Sequence, residues 1–301
     1  MLKKQTITNR FFIDKFLKVI NFRRWYVRKK ISQSIKFTNV EYLKKFNELG
    51  VVNYQTDFLS INSILEQVFI FCQSKLNDQK NLQQNRSGKS YLQHVLRRDD
   101  FESNSPVMTL AFNKEVVGLV ANFLNDFPVI ADIALLYSPP SSQKNSSGFT
   151  GSQLFHMDAD DTRLCKLWFI LEDVSLNDGP TVVVPKTQSK VIAKKLKYRK
   201  GGRIKEDSLV TNKLPREQII TITGEKNSVI FIDTANCFHY GSRVGDTSNG
   251  RFMLMISYST TYALEHGLFG KSSPMATLNV DKIKSDLNPH MRKMLVDSNY
   301  Y

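Results

Sequence analysis

Apolar residues recur at helical spacing through the first 125 residues of the chain. One helix follows the capping-box pattern of Thr38-Asn39-Val40-Glu41 and stops at Gly50. A short strand, Val51–Tyr54, comes directly after it. The same spacing predicts further helices at 63–76, 92–96 and 116–124, and near 290–295 at the other end of the chain.

The period changes after Pro128. Short segments rich in β-branched and aromatic residues follow one another, separated by turn signals such as Pro139-Pro140 and Asn177-Asp178-Gly179-Pro180. Eight segments of this kind predict a mainly β protein with flanking helices and a double-stranded β-helix (jelly roll) core. The segments are 129–137, 153–157, 164–174, 181–184, 218–223, 228–233, 236–241 and 252–259.

Three parts of the chain follow from these patterns. We expect a basic N-terminal extension over 1–37, a jelly-roll domain with a helical N-terminal part over 38–262, and a C-terminal tail over 263–301. In the extension, Phe12, Phe16, Ile20 and Val27 fall near helical spacing among cations. Such a helix either lies on a membrane surface or is an ordinary amphipathic helix packed on the domain. The breadth of its apolar face favours packing on the domain.

Composition describes a globular chain that works in a reducing compartment. Hydrophobic residues make up 41% of the 301 residues, and no apolar run approaches the roughly 18 residues of a membrane span. The three cysteines, Cys72, Cys165 and Cys237, are odd in number and far apart, which argues against a disulfide framework. The first residues lack the pattern of a secretory signal. We therefore expect a cytoplasmic protein.

The net charge of +14 is unevenly distributed. Residues 1–50 contain much of the excess, and the block 186–205 contains nine Lys or Arg and no acid. Aromatic residues do not alternate with these cations, because Tyr198 stands alone in the block, and no recognition motif is present. The charge therefore does not predict nucleic-acid binding.

The candidate chemistry begins with His156 and Asp158, which are separated by one residue. In an extended strand such residues share a face with their Cα atoms roughly 6.6 Å apart, so both can reach one metal ion. A second histidine would complete the two-histidine, one-carboxylate triad that holds non-haem Fe(II). The candidate is His239, which follows the strand 229–233, whereas His266 and His290 lie in polar tail sequence.

Arg251 stands at the head of the apolar strand 252–258. An arginine in front of a buried strand needs an anionic partner, and its planar guanidinium suits a carboxylate. The alternative is an ordinary salt bridge at a strand end.

These residues, in this order and together with Leu167–Pro185, resemble the phytanoyl-CoA dioxygenase family of the Fe(II)/2-oxoglutarate-dependent oxygenases. The likeness covers roughly Thr38 to Tyr262 and is weaker before residue 128. Its most specific part runs from Asp173 through Asn177-Asp178-Gly179-Pro180 to Pro185. The chain departs from the family at Met157, often glutamine there, and at 185–188, which lacks the family's Pro-Gly-Ser-His turn.

The resemblance implies a set of roles and cofactors. His156, Asp158 and His239 would be the ligands of Fe(II), and Arg251 would bind the distal carboxylate of 2-oxoglutarate. Ser242 would help Arg251, and Trp168 matches a family tryptophan near the co-substrate. Strand geometry alone adds Gln153 and Tyr137 as residues that face the same pocket. O2 would be the second co-substrate, and Asp158 favours hydroxylation over halogenation because related halogenases lack this carboxylate.

The family commonly places a loop over the mouth of the active site where the block 186–205 lies. This position predicts a small-molecule substrate that is phosphate-, CoA- or nucleotide-linked. A solvated cationic loop is the alternative interpretation. For the whole chain, the alternative to an oxygenase is a non-catalytic jelly roll that binds an anion or a protein partner.

Overall fold

The computed structural model describes residues 15–16, 18–19, 22–54, 61–77, 91–96, 100–141, 148–260 and 289–295. Its helices are α1 (Phe22–Ser34), α2 (Val40–Leu49), α3 (Asn62–Asn77), α4 (Pro106–Ala111), α5 (Lys114–Leu124), α6 (Lys186–Lys195), α7 (Ser208–Thr211) and α8 (Pro289–Arg292). Its strands are β1 (Val51–Tyr54), β2 (Gln93–His94), β3 (Val129–Ser138), β4 (Leu164–Ile170), β5 (Thr181–Val183), β6 (Ile220–Ile222), β7 (Val229–Asp233), β8 (His239–Tyr240) and β9 (Arg251–Ser259). The predicted class, mainly sheet with flanking helices, is confirmed.

The strands form two antiparallel sheets. The larger sheet has six strands in the order β1-β7-β4-β9-β3-β2, and the smaller has three in the order β6-β5-β8. A cluster of buried side chains joins the two sheets, with Trp168 and Ile230 from the larger and Val183 and Ile222 from the smaller. The inner face of the larger sheet is therefore the face toward the smaller sheet.

The outer face of the larger sheet is covered by the N-terminal helices. Leu167, Phe231 and Leu254 point to this side and pack with residues of α2, α3 and α5. Phe46 of α2 stacks on Phe123 of α5 at a centroid distance of 4.0 Å. Because helices cover this face, a binding site for polar ligands is expected on the inner face.

Some local predictions are confirmed and others are wrong. Gly50 ends α2 with a positive φ of 71° and an amide that bonds to Phe46, as its type suggested. The N-cap of α2 is Asn39 rather than Thr38, because the Asn39 side chain accepts from the Tyr42 amide. The predicted helix at 92–96 is instead β2, which pairs with β3. The predicted strand at 153–157 is a 3₁₀ turn, Gly151–Gln153, followed by two isolated β-bridges.

The N-terminal helix does not bury the face that its spacing suggested. Phe16 and Val27 are 62% and 48% exposed. Among the described side chains of α1, Arg28 and Ser32 are the buried ones, and Ser32 donates to the Ala121 carbonyl of α5. Arg28 reaches the Lys293 carbonyl and lies 3.8 Å from Asp126, so these polar contacts, together with the packing of Ile31 on the apolar core, hold the helix to the domain. The other two residues of the predicted face, 12 and 20, lie outside the described residues.

Among the residues that the structure describes, no helix is both long enough and apolar enough to cross a bilayer. The three-part division of the chain stays a prediction, and most of the predicted tail lies outside the described residues.

Candidate metal centre and co-substrate pocket

The two histidines meet across a β-bridge. The His156 amide donates to the His239 carbonyl, and the His239 amide donates back, each over 3.0 Å. Residues paired in this way project to the same face, and the two imidazole centroids lie 4.2 Å apart. The bridge thus joins the segment after the 3₁₀ turn to β8 of the smaller sheet.

Each imidazole has a fixed proton. Nδ1 of His156 lies 2.8 Å from the Leu154 carbonyl oxygen, and Nδ1 of His239 lies 3.0 Å from that of Cys237. A carbonyl oxygen only accepts, so Nδ1 of each ring carries a hydrogen and Nε2 is the atom that can bind a metal ion. Burial, followed by the neighbouring His156, lowers the pKa of His239 to about 3, which keeps this ring neutral.

Asp158 completes the cluster. Its Oδ1 lies 3.5 Å from Nε2 of His156, and its Oδ2 lies 2.9 Å from the Lys166 ammonium on β4. Burial alone would raise the pKa of Asp158, but Lys166 and the two histidines together hold it well below its ordinary value. The carboxyl group is therefore ionised.

The three side chains can hold one metal ion. One ligand atom from each lies within 4.8 Å of the other two. Two imidazoles with one carboxylate form the donor set typical of non-haem Fe(II) sites. The backbone carbonyls that fix the two rings act as the outer partners that such ligands need.

Arg251 is a buried cation that lies in the same cavity. Nη1 donates to the Gly179 carbonyl over 2.7 Å, and Nη2 lies 3.4 Å from the Ser242 hydroxyl. Nε is buried without a hydrogen-bond partner, and no described carboxylate forms an ion pair with this guanidinium. Burial lowers the pKa of Arg251 to about 10, which leaves it protonated at neutral pH. A buried cation of this kind calls for an anion from outside the chain.

Trp168 provides a second unused donor. Its indole Nε1 is buried without a partner, and its ring lies 6.4 Å from the His239 ring. An acid such as 2-oxoglutarate offers acceptors to both Trp168 and Arg251, so the residues present fit an anionic co-substrate.

The cavity that contains these groups has a volume of about 240 Å³, just below the roughly 300–1,000 Å³ of drug-sized ligand sites, so it suits a small molecule. His156, Asp158, His239, Trp168, Ser242 and Arg251 all line it. The Ser242 hydroxyl accepts from Ser138 over 2.9 Å, in a backbone with a positive φ of 61°. Ser242 therefore lies where the resemblance implies, beside the guanidinium.

Two expected pocket residues lie elsewhere. Tyr137 stacks on Phe252 at 4.4 Å, on the outer side of the larger sheet, because Leu136 and Ser138 take the inward positions of β3. Gln153 is buried, but its amide donates to the Ser242 carbonyl and its oxygen accepts from the Thr150 amide. Gln153 thus holds the 3₁₀ turn against the Ser242 segment and does not line the cavity.

Five charged or titratable residues that line the cavity were not predicted as site residues: His94, Asp132, Lys166, Arg203 and Tyr240. His94 lies on β2, where it pairs with Leu136 of β3. Arg203 is the one residue of the block 186–205 among those that line the cavity. The available signal was a charge inside an apolar run, as in Leu164-Cys165-Lys166-Leu167 and Ile130-Ala131-Asp132-Ile133.

The Asn177-Asp178-Gly179-Pro180 turn positions Arg251. Ser175 and Asp178 cap each other around the 3₁₀ turn Leu176–Asp178, and Gly179 follows with a positive φ of 64°. The Gly179 carbonyl accepts from Arg251 and from the Ser242 amide. The motif therefore orients the anion-binding end of the cavity.

A scan of the sequence against protein-family models finds no match, and a search of curated proteins finds none. Solved structures do resemble the fold. EctD from S. alaskensis with bound Fe superposes with a TM-score of 0.55 at 16% identity, over 80% of this chain and 83% of that one. Its apo form gives 0.54 at 18% identity, over 81% and 85%. A third structure, EctD with 2-oxoglutarate and 5-hydroxyectoine, gives 0.53 at 17% identity, over 80% and 86%. The chain thus shares the fold of EctD.

Proposed function

We propose that this protein is an Fe(II)- and 2-oxoglutarate-dependent dioxygenase that hydroxylates a small organic substrate. The observation that carries the proposal is one cavity containing both a two-histidine, one-carboxylate cluster and a buried arginine with an unused donor. Either feature alone has an ordinary structural explanation. Together they match the two requirements of this chemistry, a metal site with open positions and an anchor for a dicarboxylic acid.

The fold adds support, because EctD, which shares it, was crystallised with iron and with 2-oxoglutarate. We further propose that the two sheets form the predicted double-stranded β-helix. Membership of the phytanoyl-CoA dioxygenase family is part of the same proposal and rests on the sequence motifs. A cytoplasmic location also remains a proposal, in agreement with three buried free cysteines.

In this proposal the chain binds and orients its ligands. His156, Asp158 and His239 would hold Fe(II), and Arg251 with Ser242 would bind the far carboxylate of 2-oxoglutarate. When bound, the iron and the keto acid together supply O2 activation. Lys166 holds Oδ2 of Asp158, which leaves Oδ1 beside Nε2 of His156. The apolar cluster between the sheets keeps water away from the Arg251 end.

The predicted phosphate, CoA or nucleotide link of the substrate belongs to the proposal as well. Arg203 supports it, because this exposed arginine brings the charge of the basic block to the cavity. A screen in which phosphate-bearing and phosphate-free versions of a substrate turn over equally would contradict the link.

The experiment is anaerobic addition of Fe(II) and then 2-oxoglutarate to the purified protein, monitored by visible absorption. We expect the weak metal-to-ligand charge-transfer band of an iron-bound keto acid. His156→Ala should abolish the band, and Arg251→Ala should raise the 2-oxoglutarate concentration needed for half-maximal absorbance by about 10- to 100-fold.

The control variant is Arg216→Ala, which removes an exposed arginine outside the cavity and should leave the titration unchanged. Absence of the band from the unmodified protein, with no iron bound, would overturn the proposal. The non-catalytic jelly roll that binds an anion or a partner would then be the better interpretation.

A further inference from the structure

Asp132 is a half-buried carboxylate that lines the cavity. It forms no ion pair with any described lysine, arginine or histidine, although Lys166 attracts it at longer range. The metal cluster and the 2-oxoglutarate anchor proposed above do not use it. The Ile133 backbone donates a hydrogen bond to this carboxylate, but no described cation is paired with it.

A β-bulge directs this side chain into the cavity. Ile130 pairs with Tyr258 and Asp132 pairs with Ser257, so Ala131 is the extra residue of β3. Without the bulge, Asp132 would be opposite Ile256 and would point into the apolar cluster under the helices. The irregularity thus exposes a carboxylate to the cavity at the place where regular pairing would bury it in the core.

The nearest candidate partner within the chain is already engaged. Lys166 pairs with Ser257 from the other side of β9, so it lies in the same row of the sheet, about 10 Å from Asp132 between Cα atoms. Its ammonium contacts Asp158 at 2.9 Å. Burial raises the pKa of Asp132 to about 6, so the carboxyl group is largely ionised at neutral pH and lacks a cation beside it.

We propose that Asp132 selects the substrate, and that the substrate carries a basic nitrogen which binds this carboxylate. This inference rests on the proposed function, because it treats the cavity as an active site. Asp132, Ser257 and Lys166 form one row across the larger sheet, and Lys166 contacts the metal-ligand candidate Asp158. A substrate nitrogen bound at Asp132 would therefore place the carbon chain of the substrate between Asp132 and the metal ligands. Arg203 remains available for an anionic group of the same molecule.

The test uses three probes of one shape: n-butylammonium, n-butanol and butyrate. Binding to the full-length protein is measured by ligand-observed NMR, without metal and with Zn(II) and 2-oxoglutarate added. We expect the ammonium probe to bind at least about tenfold more tightly than the other two, because a hydrogen bond between two charged groups raises the affinity by about this factor. Equal binding of the three probes would overturn the inference without any variant.

Asp132→Asn should remove the preference for the ammonium probe and leave the charge-transfer band with Fe(II) and 2-oxoglutarate unchanged. Glu217→Gln, which removes an exposed negative charge outside the cavity, should keep the preference. A preference that survives in Asp132→Asn would contradict the assignment. A band without an ammonium preference would sink this inference alone, whereas an ammonium preference without a band would support amine binding and sink the oxygenase proposal.

Discussion

Asp132 should lower the free energy of unfolding of the protein. Its pKa is about 6 in the folded state against an ordinary value of 3.8, because burial disfavours the charged form. The folded protein therefore keeps this proton to a higher pH than the unfolded chain does. Between these two values the stability falls as pH rises, and above the higher one the penalty is complete.

We therefore expect Asp132→Asn to stabilise the metal-free protein by about 3 kcal/mol near pH 7.5 and by only about 1 kcal/mol near pH 4.5. Denaturant unfolding at the two pH values measures the difference. The positive charge of Lys166 opposes the rise in the pKa of Asp132. The variant keeps all the other titratable residues that line the cavity, namely His94, His156, Asp158, Arg203, His239, Tyr240 and Arg251. Glu217→Gln is the control and should show no such pH dependence. An equal gain at both pH values would mean that burial does not act on this carboxylate.

The sequence reveals part of this residue-scale picture. His156, Asp158, His239 and Arg251 could be nominated from residue type, spacing and order, because iron and a dicarboxylic acid restrict which side chains bind them. Lys166 and Asp132 could not be assigned, because their roles depend on which face of a strand is inward. The bulge at Ala131 determines that Asp132 points to the inner face.

At the scale of elements, the turn around Gly179 connects stability to co-substrate binding. A Cβ at this position would meet the backbone of Arg243 and Val244 at 2.6 Å, and the positive φ of 64° is strained for any L side chain. Relief of that contact must move the carbonyl that holds Arg251.

Gly179→Ala should therefore lower the free energy of unfolding by roughly 1–3 kcal/mol and weaken 2-oxoglutarate binding about tenfold. Thermal unfolding and the charge-transfer titration measure the two effects. Gly224→Ala is the matched control, since its Cβ would meet nothing closer than 3.5 Å. Unchanged 2-oxoglutarate affinity in Gly179→Ala would show that Arg251 does not depend on this turn.

Elements with strong local signals were predictable, and those set by distant contacts were not. β7 and β9 lie where runs of β-branched and aromatic residues indicated strands, and α2 ends at Gly50 as expected. The residues near Leu92 were read as a helix, yet they form an edge strand because β3 provides the hydrogen-bond partners. The segment around Phe155 has strand composition, but it forms only isolated β-bridges, because the 3₁₀ turn Gly151–Gln153 occupies the start of the predicted strand.

At the scale of the molecule, the candidate site joins the two sheets. His239 belongs to β8 of the smaller sheet, and His156 is bridged to it. Arg251, Trp168 and the Lys166 partner of Asp158 belong to the larger sheet. Helices fill the opposite face of the larger sheet, so a ligand in the cavity contacts the surface where the two sheets meet.

Ligands should therefore stabilise the whole fold. With Fe(II) and 2-oxoglutarate each at about 100 times its dissociation constant, linkage predicts at least about 2.7 kcal/mol of stabilisation, or a rise in Tm of at least roughly 4 °C for a chain of this length. Anaerobic thermal unfolding with and without the two ligands measures the rise. In His239→Ala the rise should disappear, because the smaller sheet then offers no side chain to the metal. If His239→Ala showed the same rise in Tm as the unmodified protein, iron would bind elsewhere on the protein. The proposal that one metal centre connects the two sheets would then be wrong.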